Sequence, residues 1–247
     1  MGALRGLLRV AVIAGVLMGG LVMAGTASAG LSDIPTSEVT GPVPNNSVSH
    51  PYLATDIDLD KYGYVEDEYF LSGDAYRYDT ATGTLNDPAA RIETGGPTGD
   101  GKYPFRTRIV VRRPANPADA NGVVIAEWNN VTSFQDVEFN WFGDPYYLLK
   151  NGYTFVGVTA QTVGVTSLKT FNNERYGTLT LNGNGTVPTG TGLDADALSY
   201  DVFSSVVKAL KGGRTGVDPL GGITPTEVIA SGESQSCGRL STHYNRI

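Results

Sequence analysis

A serine lies between a short apolar segment and a segment with helical spacing. Val228-Ile229-Ala230 has the β-branched character of a buried strand, and Ser231-Gly232-Glu233-Ser234-Gln235-Ser236 follows it directly. Apolar residues then recur at helical spacing at Cys237, Leu240 and Tyr244. A strand, a sharp turn with serine at its apex and a helix form a nucleophile elbow, which presents the hydroxyl for attack on a carbonyl carbon. The pattern predicts Ser234 as a catalytic nucleophile.

The turn at Ser234 requires small neighbours, because strand and helix pack closely on both sides of a strained backbone. Gly232, two positions before, meets this requirement for elbow packing fully. Ser236, two positions after, meets it less well, since glycine is the common residue there. The alternative interpretation is a structural strand-to-helix turn in which Ser234 only caps the helix.

Attack on a carbonyl also needs hydrogen-bond donors for the negative charge that develops on its oxygen. The backbone N–H of Gln235, at the start of the helix, is predicted as one oxyanion donor. The loop after the first buried strand is predicted to supply the second N–H, from Asn130 or Val131. Gln161, at the C-terminal end of the next strand, is predicted at the rim of the same pocket, with a plain loop hydrogen bond as the alternative.

Three continuous apolar runs predict strands that are buried on both faces: 123–126, 155–158 and 228–230. An alternating pattern over 64–78 predicts one or two strands, and its continuation over 105–113 predicts an antiparallel pair before the buried strands. Helical spacing predicts one helix from Trp141 to Leu149 and a second from Leu198 to Leu210, the latter capped by Asp194. Residues 161–193 are expected to be irregular, either pocket wall, lid or surface insertion. This order predicts an α/β sandwich.

Five segments of the chain have the residue patterns of one known family. They are Gly232 to Ser236 with Arg239-Leu240, Glu127 to Val131, Val158 to Gln161, Arg175-Tyr176-Gly177 and Ser199-Tyr200-Asp201. These segments resemble the secreted α/β-hydrolase-domain proteins of bacteria, esterase- or lipase-like, over their N-terminal part, and the similarity extends from about Tyr64 to the last residue. The resemblance implies an incomplete α/β-hydrolase sandwich, with a mostly parallel sheet, an antiparallel N-terminal strand pair and flanking helices, and a Ser-His-acid mechanism.

The base and the acid of such a triad follow the nucleophile in this fold, and only 13 residues follow Ser234. The two histidines are His50 and His243. On a continuous helix His243 lies about 13 Å along the axis from Ser234, which is out of reach. His50 reaches it only if the N-terminal arm folds over the pocket. We therefore expect a chain truncated after the nucleophile helix and impaired or inactive by itself.

The N-terminal residues have the pattern of a secretory signal. Arg5 and Arg9 precede an apolar run from Val10 to Ala24, and Ala27-Ser28-Ala29 is a small-residue cleavage site. The predicted organisation is a signal peptide over 1–29, an irregular arm over 30–55, and the hydrolase part over 56–247. A secreted, periplasmic or cell-envelope location follows, with no stable membrane anchor after cleavage.

Charge and composition narrow the class of partner. Loss of the signal leaves 16 of the 18 basic residues against 25 acidic ones, a formal charge of −9, which disfavours nucleic acid. No zinc-site spacing occurs, and neither a metal nor a cofactor is expected. The predicted function is an exported hydrolase of small-molecule or lipid esters. The alternative is a non-catalytic exported binding or cell-wall-associated module that keeps the fold.

Overall fold

The computed structural model describes Leu31 and residues 33–80, 89–186 and 196–247. The predicted signal peptide and the predicted cap Asp194 lie outside the described residues. Within the described part, no helix has the length and apolar character needed to cross a membrane.

A mixed sheet of eight strands forms the centre of the protein. Seven strands follow the order β7-β1-β2-β4-β6-β5-β8, and β3 pairs with β2 outside this path. The strands are β1 (Ser37–Thr40), β2 (Tyr64–Thr80), β3 (Ala89–Ile92), β4 (Lys102–Pro114), β5 (Val123–Trp128), β6 (Thr154–Val158), β7 (Arg214–Gly216) and β8 (Glu227–Gly232).

The predicted strands are confirmed, and their directions follow their composition. The alternating segments form the antiparallel pair β2–β4, and the three continuous apolar runs form β6, β5 and β8, which are parallel to one another. Every residue of β6 is buried. Central parallel strands are covered on both faces, so both sets of their side chains must be apolar.

Six α-helices and three short 3₁₀ helices surround the sheet in the described residues. The α-helices are α1 (Phe139–Gly143), α2 (Pro145–Lys150), α3 (Thr162–Phe171), α4 (Asn173–Tyr176), α5 (Ser199–Leu210) and α6 (Gln235–Arg246). The 3₁₀ helices are Leu59–Tyr62, Pro117–Asp119 and Gly183–Gly185.

The core consists of two apolar clusters. The larger one joins the sheet to α3, α4, α5 and α6, and in it the indole of Trp128 stacks on the Phe203 ring of α5 at 5.1 Å. The smaller one contains Phe155 of β6 with Trp141 and Leu149 from α1 and α2. Successive residues of a strand point to opposite faces, so the neighbours Phe155 and Val156 belong to different clusters.

The predicted single helix from Trp141 to Leu149 is wrong, because the structure divides it into α1 and α2. Asp144 lies between them with φ −150° and ψ 61°, and Pro145 is the first residue of α2. A proline disfavours helical geometry in the residue before it, so the first helix must end. The Asp144 carboxylate then accepts the N–H of Tyr147 and caps the second helix.

The expectation that 161–193 is irregular is wrong for its first half, which contains α3 and α4. The N–H of Thr162 donates to Asp196 at 2.7 Å, and Val165 and Leu168 are buried in the larger cluster. Two apolar residues three apart are a weak helical signal within a segment rich in threonine and glycine. The first N–H of α3 is bound by Asp196, which lies 34 positions later in the chain. No local sequence pattern therefore predicts where this helix starts.

The N-terminal arm belongs to the fold, and the prediction that residues 30–55 are irregular is wrong for β1. This strand pairs antiparallel with β2 and parallel with β7. Three buried arginines hold the following segment through its carbonyl groups: Arg175 binds Pro44, Arg108 binds Tyr52 and Arg112 binds Leu53. Glu68 pairs with both Arg108 and Arg175, and Arg112 pairs with Glu66 and Glu138, so the buried guanidinium charges are compensated.

Candidate active site

Ser234 occupies the turn between β8 and α6 with a strained backbone. Its φ is 53° and its ψ is −111°, a conformation that costs a non-glycine residue about 1–3 kcal/mol. Ser234 is exposed, although β8 before it is largely buried and Ser236 after it is fully buried. The local fold thus presents one hydroxyl at the surface, at the start of a twelve-residue helix.

Gly232 is required by close packing. A Cβ atom at this position would lie 3.1 Å from the carbonyl carbon of Ser236 and 3.1 Å from the nitrogen of Cys237. Both are main-chain atoms, which cannot move aside without moving the helix. This geometry is the steric demand inferred from the sequence.

Ser236 contributes hydrogen bonds that glycine would lack. Its side chain is fully buried, and its Oγ accepts from the N–H of Glu233 and donates to the carbonyl of Glu233, both at 2.9 Å. The Ser236 hydroxyl therefore stabilises the turn that contains Ser234. This explains how a serine replaces the usual glycine at this position.

The backbone N–H groups predicted as oxyanion donors differ in whether another group already accepts them. The N–H of Gln235 has no hydrogen-bond partner among the described residues, as expected of the first residue of a helix. The N–H of Asn130 donates to the carbonyl of Val137 at 3.0 Å and is therefore occupied. The N–H of Val131, the other predicted donor, has no partner in the described part of the chain. Of the two predicted second donors, only Val131 therefore has an N–H without a hydrogen-bond partner among the described residues.

Gln161 is buried beneath the turn rather than exposed at a rim, with 3% of its surface accessible. Its Oε1 accepts from the indole N–H of Trp128 and from Nε2 of Gln235, both at 3.1 Å. Its Nε2 donates to Asp196 at 3.0 Å, and Asp196 also pairs with Arg239. Gln161 thus connects β5, the start of α3 and the first residue of α6.

A buried carboxyl group supports the other side of the turn. Glu127 of β5 is fully buried and accepts the N–H of Asn140 at 3.0 Å. The Asn140 side chain donates to Ser231 at 2.8 Å, three residues before Ser234. Burial raises the pKa of Glu127 to about 8, so this carboxyl is largely protonated at neutral pH.

Sequence reasoning assigned no role to Glu127, Asn140 or Asp196. One sequence signal for Glu127 was its place in a segment that resembles the hydrolase-domain proteins. A charged residue on a buried strand was a further clue, since an unpaired ionised side chain is rarely fully buried.

Neither histidine lies at Ser234. The ring of His50 packs against Phe171 at 5.5 Å, at the far end of α3, about 15 Å along this helix from Gln161. The Nε2 atom of His243 is 2.7 Å from Oγ of Ser204 on α5. Burial lowers the pKa of His243 to about 4, so its imidazole is neutral at pH 7. His243 joins two helices and is not available to Ser234.

Residues 39–247 match the family model of the alpha/beta hydrolase domain. The chain therefore belongs to this family, which confirms the inferred resemblance to α/β-hydrolase-domain proteins and the α/β-hydrolase fold class.

Two solved structures with some similarity are the rice cell wall degrading esterase LipA from Xanthomonas oryzae and its ligand-bound form. Each has a TM-score of 0.29 and 11% sequence identity, and the match covers 70% of this chain and 36% of theirs. The chain thus spans about a third of the length of these structures. None of the curated proteins compared with the chain is a detectable relative.

Proposed function

We propose that Ser234 is the nucleophile of an exported serine hydrolase that cleaves ester bonds. The observation that carries this proposal is the strained, exposed position of Ser234 between β8 and α6, beside the unbonded N–H of Gln235. A turn that costs stability and exposes a hydroxyl is expected where the strain serves a function.

In the proposed reaction, Oγ of Ser234 attacks the carbonyl carbon of a small-molecule or lipid ester. The oxyanion accepts the N–H groups of Gln235 and Val131, and its collapse breaks the bond to the alcohol and leaves an acyl-serine. Water then releases the acid and restores the serine. The hydroxyl proton must pass to a general base and from it to the oxygen of the departing alcohol, and neither His50 nor His243 supplies this base. We therefore expect residues 30–247 alone not to turn over p-nitrophenyl esters.

A fluorophosphonate probe on the complete gene product tests the nucleophile. We expect labelling of the wild type, loss of labelling and of ester turnover in Ser234→Ala, and wild-type behaviour in the control Ser241→Ala on the same helix. Absence of labelling in a folded complete protein would support the alternative, a non-catalytic exported binding or cell-wall-associated module. Ester turnover by residues 30–247 that Ser234→Ala abolishes would contradict the expected inactivity of this chain.

Export is proposed from the signal pattern over 1–29. Expression in a bacterial host should give an exported protein whose N-terminal residue is Gly30. Retention of the intact N-terminus on the protein would contradict cleavage after Ala29.

A further inference from the structure

Asn130 lies at the base of the loop between β5 and α1 and is held by four hydrogen bonds. Its backbone N–H and carbonyl pair with Val137 at 3.0 and 2.9 Å. Its side-chain Oδ1 accepts the N–H of Thr132 at 2.8 Å, and its Nδ2 donates to the carbonyl of Glu233 at 2.7 Å. The residue is 2% exposed, so water does not compete for these bonds. The side chain thus joins this loop to the elbow.

The carbonyl of Glu233 belongs to the peptide group that ends at the nitrogen of Ser234. Besides Asn130, this oxygen accepts the N–H of Ser236 at 3.1 Å and the Ser236 hydroxyl at 2.9 Å. Three donors therefore fix the plane of the peptide. With this plane fixed, the strained φ of 53° at Ser234 cannot relax by rotation of the preceding peptide.

The same bond sets the separation of two backbone donors. Val131 follows Asn130 directly, and Gln235 lies two residues after Glu233. Their N–H groups have no partners in the described chain. Oxyanion donors act only within about 2.7–3.1 Å of the developing charge, so their mutual spacing determines whether both reach it.

We infer that Asn130 is a positioning residue of the hydrolase reaction, which holds Ser234 in its strained conformation and sets the spacing of the Val131 and Gln235 donors. Asn130 touches no reacting atom and acts through the main chain of Glu233. The inference rests on the proposed function of Ser234. It differs from the expectation that Asn130 supplies its own backbone N–H, which is occupied.

Asn130→Asp isolates this bond, because the carboxylate retains the acceptor for Thr132 and loses the donor to Glu233. Asn130→Ser removes the same contact without adding charge. In the complete protein, we expect kcat for a p-nitrophenyl ester to fall about 10- to 100-fold, with KM within about twofold of wild type. The rate of fluorophosphonate labelling should fall with kcat.

Asn121, at the opposite end of β5, provides a control that makes the same pattern of hydrogen bonds at an exposed position. Its Oδ1 also accepts the N–H two residues later, from Val123, and its Nδ2 also donates to a remote carbonyl, that of Asn151 at 2.7 Å. Asn121→Asp therefore removes the same kind of bond away from the elbow. We expect kcat and KM of this variant to equal those of wild type.

Each outcome has a defined meaning. Ser234-dependent turnover that is unchanged in folded Asn130→Asp and Asn130→Ser would overturn this inference alone. A loss of activity that only follows the folded fraction, or unfolding of both variants, would also overturn it, because Asn130 would then be a stability residue. Absence of Ser234-dependent turnover in the folded wild type would overturn the proposed function together with this inference.

Discussion

Replacement of Glu127 by glutamine should change the pH dependence of stability. Glu127 is fully buried, and its carboxyl accepts a backbone N–H of α1. Burial raises its pKa from 4.5 to about 8. Between these two values the folded protein binds a proton that the unfolded chain releases. The contribution of Glu127 to the unfolding free energy is therefore greatest below pH 4.5, and it is lost as the pH rises towards 8.

The expected magnitude follows from the pKa difference. Each pH unit within this window costs about 1.4 kcal/mol of unfolding free energy. From pH 6.5 to 8 the loss is therefore about 2 kcal/mol. This pH interval lies above the pKa of Asp136, which burial raises to about 6. Its lower limit equals the ordinary pKa of histidine, about 6.5.

Urea unfolding of the chain by circular dichroism at several pH values from 6.5 to 8 measures this effect. Glu127→Gln cannot ionise, so its unfolding free energy should lack the loss of about 2 kcal/mol seen in wild type. Glu174→Gln, at an exposed glutamate of α4, should keep the wild-type slope. Equal slopes in wild type and Glu127→Gln would refute the assignment of the proton to Glu127.

Two further substitutions test the strain at the elbow and the titration of the partly buried His243 imidazole. Ser234→Gly should raise the unfolding free energy by about 1 kcal/mol, because glycine adopts φ 53° without strain. The same substitution should abolish fluorophosphonate labelling. Ser234→Ala, which keeps the strained backbone, should show no such gain in unfolding free energy when measured by urea unfolding. Because the pKa of His243 is lowered in the folded protein, below about pH 6.5 the unfolded chain binds a proton on this imidazole that the folded protein does not. The unfolding free energy therefore falls as the pH drops, by up to about 3 kcal/mol at pH 4. The difference between wild type and His243→Gln, measured by urea unfolding from pH 4.5 to 6.5, should follow this slope, and a constant difference would contradict it.

The amino-acid sequence determined the features that depend on local composition. Continuous β-branched runs are stable only where both faces of a strand are covered, so β5, β6 and β8 could be recognised without knowledge of their neighbours. Alternation identified β2 and β4. The small residue Gly232 between a strand pattern and a helix pattern was sufficient to locate the turn at Ser234.

Only the tertiary structure decided which groups from distant parts of the sequence meet. The pairing of β1 with β7 joins Ser37 to Arg214, and the Asn130 side chain reaches a carbonyl 103 residues away. Hydrogen bonds between such distant positions leave no periodic pattern in the sequence. The same applies to Glu127, whose raised pKa results from burial within the folded protein. Residue type and spacing thus located the turn at Ser234, whereas long-range packing determined which donors are free and which carboxyl group is protonated.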